Sequence, residues 1–328
     1  MFKVYKEGDW KRVAIVKENA KFENVLCDMD GKIISGYDHF IGTDEKARNK
    51  EIVHIEFSYT CGNYRLFYAG SNEILKRAVF AINELYTNEH LTVAAQNKLY
   101  EVLIDSLNVT HHRNTIKRKS KLDGINSLST CCIDCVFCIE RMKDKNSICS
   151  HCYSETQQKT QLSLQDRNTI NGIILRNIII PVSAWRRYFK RENLSKFFRI
   201  ESFGDTANKT QAINYINFMK AFPRVHFAVW SKNIGIWNFA FMQEGKPANC
   251  SYVHSCNKLN CCELHTLKTY SFIDHVFTVY DKKFVDLHNV KITCGGKSCM
   301  HDCIQKKTGC YFPRKGGENA KLQNEELK

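Results

Sequence analysis

Proline is scarce, with 4 in 328 residues, so few helices or strands should be interrupted by it. No apolar run approaches the roughly 20 residues that a membrane-spanning helix needs. The opening stretch, MFKVYKEGDWKR, lacks the apolar core of a secretory signal. A soluble, cytoplasmic chain with no membrane partner is expected. Acid is also in short supply. Lys and Arg number 48 against 34 Asp and Glu, for a net charge of +14. A 43% hydrophobic content excludes disorder throughout, and the length suits one large domain or two ordinary ones.

Cysteine is nearly missing from the first 130 residues, which hold only Cys27 and Cys61, both read as buried structural thiols. The other 14 of the 16 cysteines lie between Cys131 and Cys310. In a reducing compartment such clustering points to metal or redox chemistry rather than disulfides. It also suggests a boundary. Residues 1–110 read as a small α+β domain with strands at VAIVKE, KIISGY, VHIEFSY and YRLFYAG, and helices at NEILKRAVFAINELY and from Gln96 to Leu107. Residues 111–123 read as a basic linker. Its core, HHRNTIKRKSK, carries five Lys or Arg, two His and no acid over 111–121. A phosphate-binding strip for nucleic acid and a solvated linker are the two readings.

Residues 124–328 alternate short apolar strands with helical stretches. GINSLST, FFRIES, VHFAVW, CSYVHS, HVFTVY and VKIT read as strands; LSLQDRNTINGIILRN, NKTQAINYINFMKAF and NIGIWNFAFMQEG read as helices. From FFRIES to HVFTVY the strands recur at a mean interval of about 26 residues, the length of a strand, a helix and two loops. The expected fold is α/β: a complete or partial parallel β/α barrel behind a small α+β domain, with a doubly wound sheet as the alternative. Barrel sites lie at the carboxyl ends of the strands. Cys131 follows GINSLST, Cys294 follows VKIT, and Gly204-Asp205 follows FFRIES, so all three should open onto one face.

The first cysteine group, CCIDCVFCIERMKDKNSICSHCY, contains Cys131-x3-Cys135-x2-Cys138 and Cys149-x2-Cys152, six cysteines in 22 residues. The second runs Cys294-x4-Cys299-x3-Cys303-x6-Cys310, with Gly295, Gly296 and Gly309 for tight turns. Short loops that wrap several thiolates suit an iron–sulfur cluster or zinc, and the barrel placement favours iron–sulfur. A third, weaker set is Cys250, Cys256, Cys261 and Cys262 with His254 and His265, in which Cys250 reads as core and zinc is the candidate ion. Trp230, Ser231, Lys232, Tyr280, Asp281 and Lys282 follow strands near the same face. Arg199 and Glu201 flank Ile200, so they should share a face as an internal ion pair. Asp166 and Arg167 should be on a helix surface.

The spacing of Cys131, Cys135 and Cys138, with aromatic Phe137, resembles the radical-SAM cluster motif. LST before the first cysteines, ICSHCY, FRIESFGD with TQAINY, VHFAVWSKN, HVFTVYDKK and CGGKSC with a later CY resemble a phage- and prophage-encoded cysteine-rich family described as radical-SAM-like. The likeness spans residues 124 to about 320; none is recognised for the first 110. It implies one or two 4Fe–4S clusters, S-adenosylmethionine as a second cofactor, and a bacterial host cytoplasm. The superfamily motif implies Cys131, Cys135 and Cys138 as ligands; the phage family implies Cys138, Cys149 and Cys152 with Cys294 to Cys310. Glu201, Ser202, Gly204 and Asp205 stand where the superfamily contacts the amino group of S-adenosylmethionine, Asp205 being alternatively a helix N-cap. GGEN at 316–319 reads as a chance match. Two classes follow: an iron–sulfur enzyme of radical-SAM type acting on an unknown substrate, or a non-catalytic metal-stabilised protein that binds nucleic acid through its basic surface.

Overall fold

In this computed structural model two β-sheets carry the chain. The structure describes residues 73–114, 120–294, 298–307, 309–314 and 321–327. It also describes the backbone of five strands: β1 (Lys3–Tyr5), β2 (Glu23–Asp28), β3 (Ile33–Asp38), β4 (Val53–Ser58) and β5 (Tyr64–Gly70). These five pair antiparallel in the order β1-β4-β5-β2-β3, which agrees with the strands expected at KIISGY, VHIEFSY and YRLFYAG. VAIVKE at 13–18, the Cys27 side chain, Cys61 and GGEN at 316–319 lie outside the described residues.

The second sheet has seven strands: β6 (Val109–His111), β7 (Asn126–Leu128), β8 (Phe197–Ile200), β9 (His226–Ser231), β10 (Cys250–Ser255), β11 (His275–Tyr280) and β12 (Lys321–Glu326). From β7 to β12 every strand pairs parallel with its neighbour in sequence, and β6 closes the edge antiparallel to β7. Right-handed crossovers between strands in sequential order place the connecting helices on one face. This excludes the doubly wound alternative, which needs a reversal of order. The sheet is open, so of the complete or partial barrel expected, the complete one does not form. Six parallel strands fall short of the eight that close around a packed interior. Ile304 and residues 310–312 cover the bare face instead: Ile304, Cys310 and Tyr311 pack there against Phe197, Ala228, Val253 and Phe277.

The opposite face carries the helices. Leu128, Phe198, Ile200, Phe227, Val229 and Tyr252 point to it, alternating along each strand as the period of two requires. Against them pack α5 (Leu162–Asn177), α7 (Lys209–Ala221) and α8 (Ile234–Glu244), much as the helical spacing predicts. Asn208 caps α7 by accepting from the Gln211 amide, and the chain turns at Gly245 with φ 75° after α8. The shorter helices are α3 (Val136–Lys143), α4 (Tyr153–Thr160), α6 (Val182–Tyr188), α9 (Thr266–Thr269) and α10 (Lys282–His288). Two further helices, α1 (Glu73–Thr87) and α2 (Val93–Ser106), were grouped by sequence with the first domain. Their Leu75, Val79, Ile82, Leu103 and Ile104 join the same core as Ile170, Ile173 and Ile174 of α5. Each such side chain contributes about 2 kcal/mol by burial. Tyr86 adds a hydrogen bond from its hydroxyl to the Asn177 carbonyl. No helix among the described residues is long and apolar enough to cross a membrane.

Two expectations need correction. VKIT forms no strand; the last parallel strand is β12, KLQNEE, whose polar composition hid it. An edge strand is paired on one side only and tolerates such residues. The described ends of the basic stretch, 111–114 and 120–121, belong to the β6–β7 connection: Gly124 N–H donates to His112 O, His112 Nε2 meets Ser127 Oγ, and Lys121 pairs with Glu325. Residues 115–119 lie outside the described residues.

Gly204 and Gly235 should respond oppositely to alanine. Gly204 has φ 70°, and a Cβ there would stand 2.5 Å from Thr130 O; Gly235, in α8, has nothing within 4 Å of that position. Chemical denaturation should show Gly204→Ala losing about 2 kcal/mol or more and Gly235→Ala gaining about 0.5–1 kcal/mol.

Candidate metal centre

At the carboxyl end of β7 the chain enters Ser129-Thr130-Cys131, and a buried polar network sets its path. Arg176 of α5, 2% exposed, donates to Asp134 Oδ1 (2.7 Å), Thr130 Oγ1 (3.0 Å), the Cys131 carbonyl (3.1 Å) and Gln211 Oε1 (3.3 Å). Glu201 accepts from Thr130 N–H and Oγ1, from Gln211 Nε2 and from the Tyr215 hydroxyl. Burial pushes the Glu201 carboxyl up to about 7, against the pull of Tyr215, Thr130 and Arg176. The expected Arg199–Glu201 pair does not form. β8 ends at Ile200, and Glu201 takes φ 56°, which swings its carboxylate to the helical face. Arg199 stays on the other face, 3.9 Å over the Trp230 ring. Asp166 is buried rather than on the surface; Arg167 is exposed.

This network presents the first cysteine group. The Cys135 thiol reaches towards the Asp205 carbonyl at 3.8 Å and bonds to Cys138. Cys132, absent from the sequence-based ligand sets, bonds to Cys152 and accepts from Gln158 Nε2 at 3.4 Å. Cys152 stands at the N-cap of α4. The bond to Cys132, the amides of Glu155 and Ser154, and Lys232 bring its thiol down to about 6, although burial opposes them. Cys149 follows a turn in which its N–H bonds to Ser147 Oγ; burial raises its pKa and Lys232 lowers it. Cys131 is fully buried beside Thr169, and burial raises its thiol well above the usual value.

Lys232, at the carboxyl end of β9, is the hub. Burial disfavours its ammonium, but the charges of Cys149, Asp205, Cys138 and Cys152 outweigh it and raise its pKa. Asp205 joins the ends of β8 and β9, accepting from Thr206 N–H, Ser231 Oγ and Lys232 N–H. It is not the helix cap, a position that Asn208 fills. Ser202 Oγ lies between Ser127 Oγ and Ser129 Oγ, and Gly204 lets the turn close on Thr130. Of the four residues predicted to face a cofactor, Asp205 is thus the one that acts on the thiols; the polar groups of Glu201 and Ser202 are held within the fold.

The second group occupies the other face of the sheet, since VKIT is no strand. Cys294, Cys299 and Cys310 all feel the Arg199 charge, and Cys303 acts on each of them. Burial pushes Cys299 up to about 12, with Arg199 pulling back. The loop is tied down by Cys294 N–H to Asn324 O, Cys299 N–H to Lys121 O, and Cys310 Sγ to Gln323 Oε1. Among the described residues Arg199 has no carboxylate partner, and its buried Nε makes no hydrogen bond. In the third set Cys250 packs in the core as expected, and His265 precedes α9. Asp281 caps α10 and Lys282 is exposed.

Fold and site define a mixed α/β protein with an open, singly wound sheet and thiol-rich groups on two sides of it. The chain belongs to the gene product 88 family, a phage-type family whose profile matches residues 74–324. The match begins at the second residue of α1 and so takes in both α1 and α2, in keeping with their place in the larger core. No curated protein and no solved structure matches the chain.

Two outcomes follow. Arg176→Met removes the guanidinium that pairs with buried Asp134 at 2.7 Å, so the unfolding free energy should fall by about 3–5 kcal/mol in denaturant titration. Glu201 has a folded pKa above its unfolded 4.5. As pH rises from 4.5 to 7 the unfolded chain ionises first, so this group costs the fold up to about 3 kcal/mol by pH 8. Comparing Tm at pH 5 and pH 8, Glu201→Gln should lose that part of the decline; an unchanged slope would refute the assignment.

Proposed function

We propose that the protein is an iron–sulfur protein of radical-SAM-like type, with a cluster at the carboxyl edge of the open sheet and a second cysteine site on the opposite face. The observation that carries this reading is that each cysteine group has a cation beside its thiols, half-buried Lys232 next to Cys138, Cys149 and Cys152 in the first and buried Arg199 in the second. A cluster ligated by several thiolates is anionic, and a cation beside it offsets the charge and favours deprotonated sulfur. The residues therefore fit the group. Cys138, Cys149 and Cys152 would hold the first cluster; Cys294, Cys299, Cys303 and Cys310 would hold the second.

Three thiolates leave one iron of a 4Fe–4S cluster open to an outside ligand. By the resemblance that ligand is S-adenosylmethionine, and when bound the cluster supplies the electron for its cleavage. The chain's own residues orient and shield. Arg176 and Asp134 hold the cysteine loop, Asp205 positions Lys232, and Gly204 closes the turn under Thr130. A single tetrahedral ion needs sulfurs about 3.8 Å apart. Among the described residues no three donors of either cysteine group lie mutually within 4.8 Å.

The test is iron and acid-labile sulfide after anaerobic purification, with EPR before and after adding S-adenosylmethionine. About four irons and four sulfides per cluster are expected, with a spectrum that changes on addition. Cys149→Ser and Cys152→Ser should lose the responsive cluster, Cys131→Ser should keep it, and Lys232→Gln should lower its occupancy. Zinc without sulfide would overturn the reading, as would full iron in the Cys149 and Cys152 variants.

A further inference from the structure

At the carboxyl end of β10 lies a compact set of donors that the cluster reading does not use. His254, the fifth residue of β10, is 1% exposed, and Cys256, just beyond the strand, is 3% exposed. With Glu263 they form a group whose ligand atoms all lie within 4.8 Å of one another. His254 Nε2 meets Glu263 Oε2 at 2.9 Å, and Cys262 bonds through its side chain to Cys256. Buried His254 Nδ1 has no hydrogen-bond partner among the described residues.

The loop that closes this set is held at many points. Cys256 N–H donates to Phe277 O, and Glu263 N–H donates to Cys256 Sγ at 3.3 Å, a bond that favours the thiolate. Asn257 N–H donates to Glu263 Oε1 at 3.0 Å. Asn260, at φ 60°, is fixed by its N–H to Val279 O and by Asp281, and the Cys261 carbonyl accepts from Thr278 Oγ1. Such constraints bring the donors together before any ion arrives.

We propose that His254, Cys256, Cys262 and Glu263 form a mononuclear zinc site. Two sulfurs, one imidazole and one carboxylate are the borderline-soft donors that tetrahedral zinc takes, and the closeness of His254, Cys256 and Glu263 suits one ion rather than a cluster, with Cys262 beside Cys256 as the fourth donor. On binding, the two thiol protons leave to solvent and the metal takes their place. The site is a staple. Its loop reaches the segment that leads to Cys149: Ile148 N–H donates to Asn257 O, Leu259 N–H donates to Asn146 O, and Ser147 bridges Lys258. Zinc here would hold that segment against β10. The proposal does not rest on the cluster reading, because it uses none of the same side chains.

The experiment uses the full chain, stripped by chelator, reduced, and titrated anaerobically with zinc alone. Peptide-resolved alkylation should show Cys256 and Cys262 protected by the first equivalent, and X-ray absorption at the zinc edge should show mixed sulfur and nitrogen or oxygen ligation. His254→Gln and Glu263→Gln, which leave every cysteine in place, should lose that equivalent while keeping their iron content. Protection that first appears at Cys149 and Cys152, or at the Cys294 group, would overturn the proposal. So would an all-sulfur spectrum, or a first equivalent retained in both variants. If either variant fails to fold, the wild-type protection pattern and spectrum decide alone.

Discussion

The guanidinium of Arg176 is the tie on which the candidate site depends. It lies in the interior and meets Asp134, Thr130, the Cys131 carbonyl and Gln211 at once. A cation with no access to water must have its donors met within the protein, and this fixes the geometry of whatever meets them. Here the partners come from the β7 loop and from α7, so one side chain sets the position of the cysteine loop against the helical layer. Glu201 completes the network from the end of β8. Its left-handed backbone is what turns its carboxylate towards Tyr215 and Gln211. The two buried charges of opposite sign, reached from four elements, hold a loop that has little regular structure of its own.

The singly wound sheet then separates two environments. On the helical side the strand ends carry Asp205 and Lys232 beside Cys138, Cys149 and Cys152. On the bare side, Arg199 lies over Trp230 and under a loop with four cysteines. Strand alternation makes the division: Phe198 and Ile200 face the helices, while Phe197 and Arg199 face away. The absence of closure follows from the same arrangement. Ile304 and the returning residues 310–312 fill the face that a barrel would have turned inward, so the sheet buries both sides without joining its edges.

Much of this was legible in the sequence, and the failures have causes. The parallel alternation, α5, α7 and α8, and four of the parallel strands follow from apolar periodicity. β12 escaped because its residues are polar and it pairs at an edge. VKIT looked like a strand because its pattern is β-branched, yet the sheet's next strand after β11 is β12. The Arg199–Glu201 pair failed because alternation holds only while the strand continues, and β8 stops one residue before Glu201. Cys132 was passed over because a spacing rule sees intervals, whereas its link to Cys152 crosses a turn and the start of a helix. Glu263 carried no sign in the sequence; its place beside His254 and Cys256 arises from a loop pinned to β11.

By itself the sequence determined the clustering of the thiols and the order of most elements. Fourteen of sixteen cysteines massed after residue 130, an excess of base over acid, and alternating strand and helix patterns are properties of residue type and interval, and each has a direct local consequence. The tertiary structure alone decided which thiols share a cation, which face each group occupies, and whether the sheet closes. Those outcomes depend on contacts between residues far apart in the chain: Arg176 with Asp134, Lys232 with Cys149, Arg199 with Cys310. A buried charge selects its partners by distance in space, and no periodicity along the chain encodes that distance.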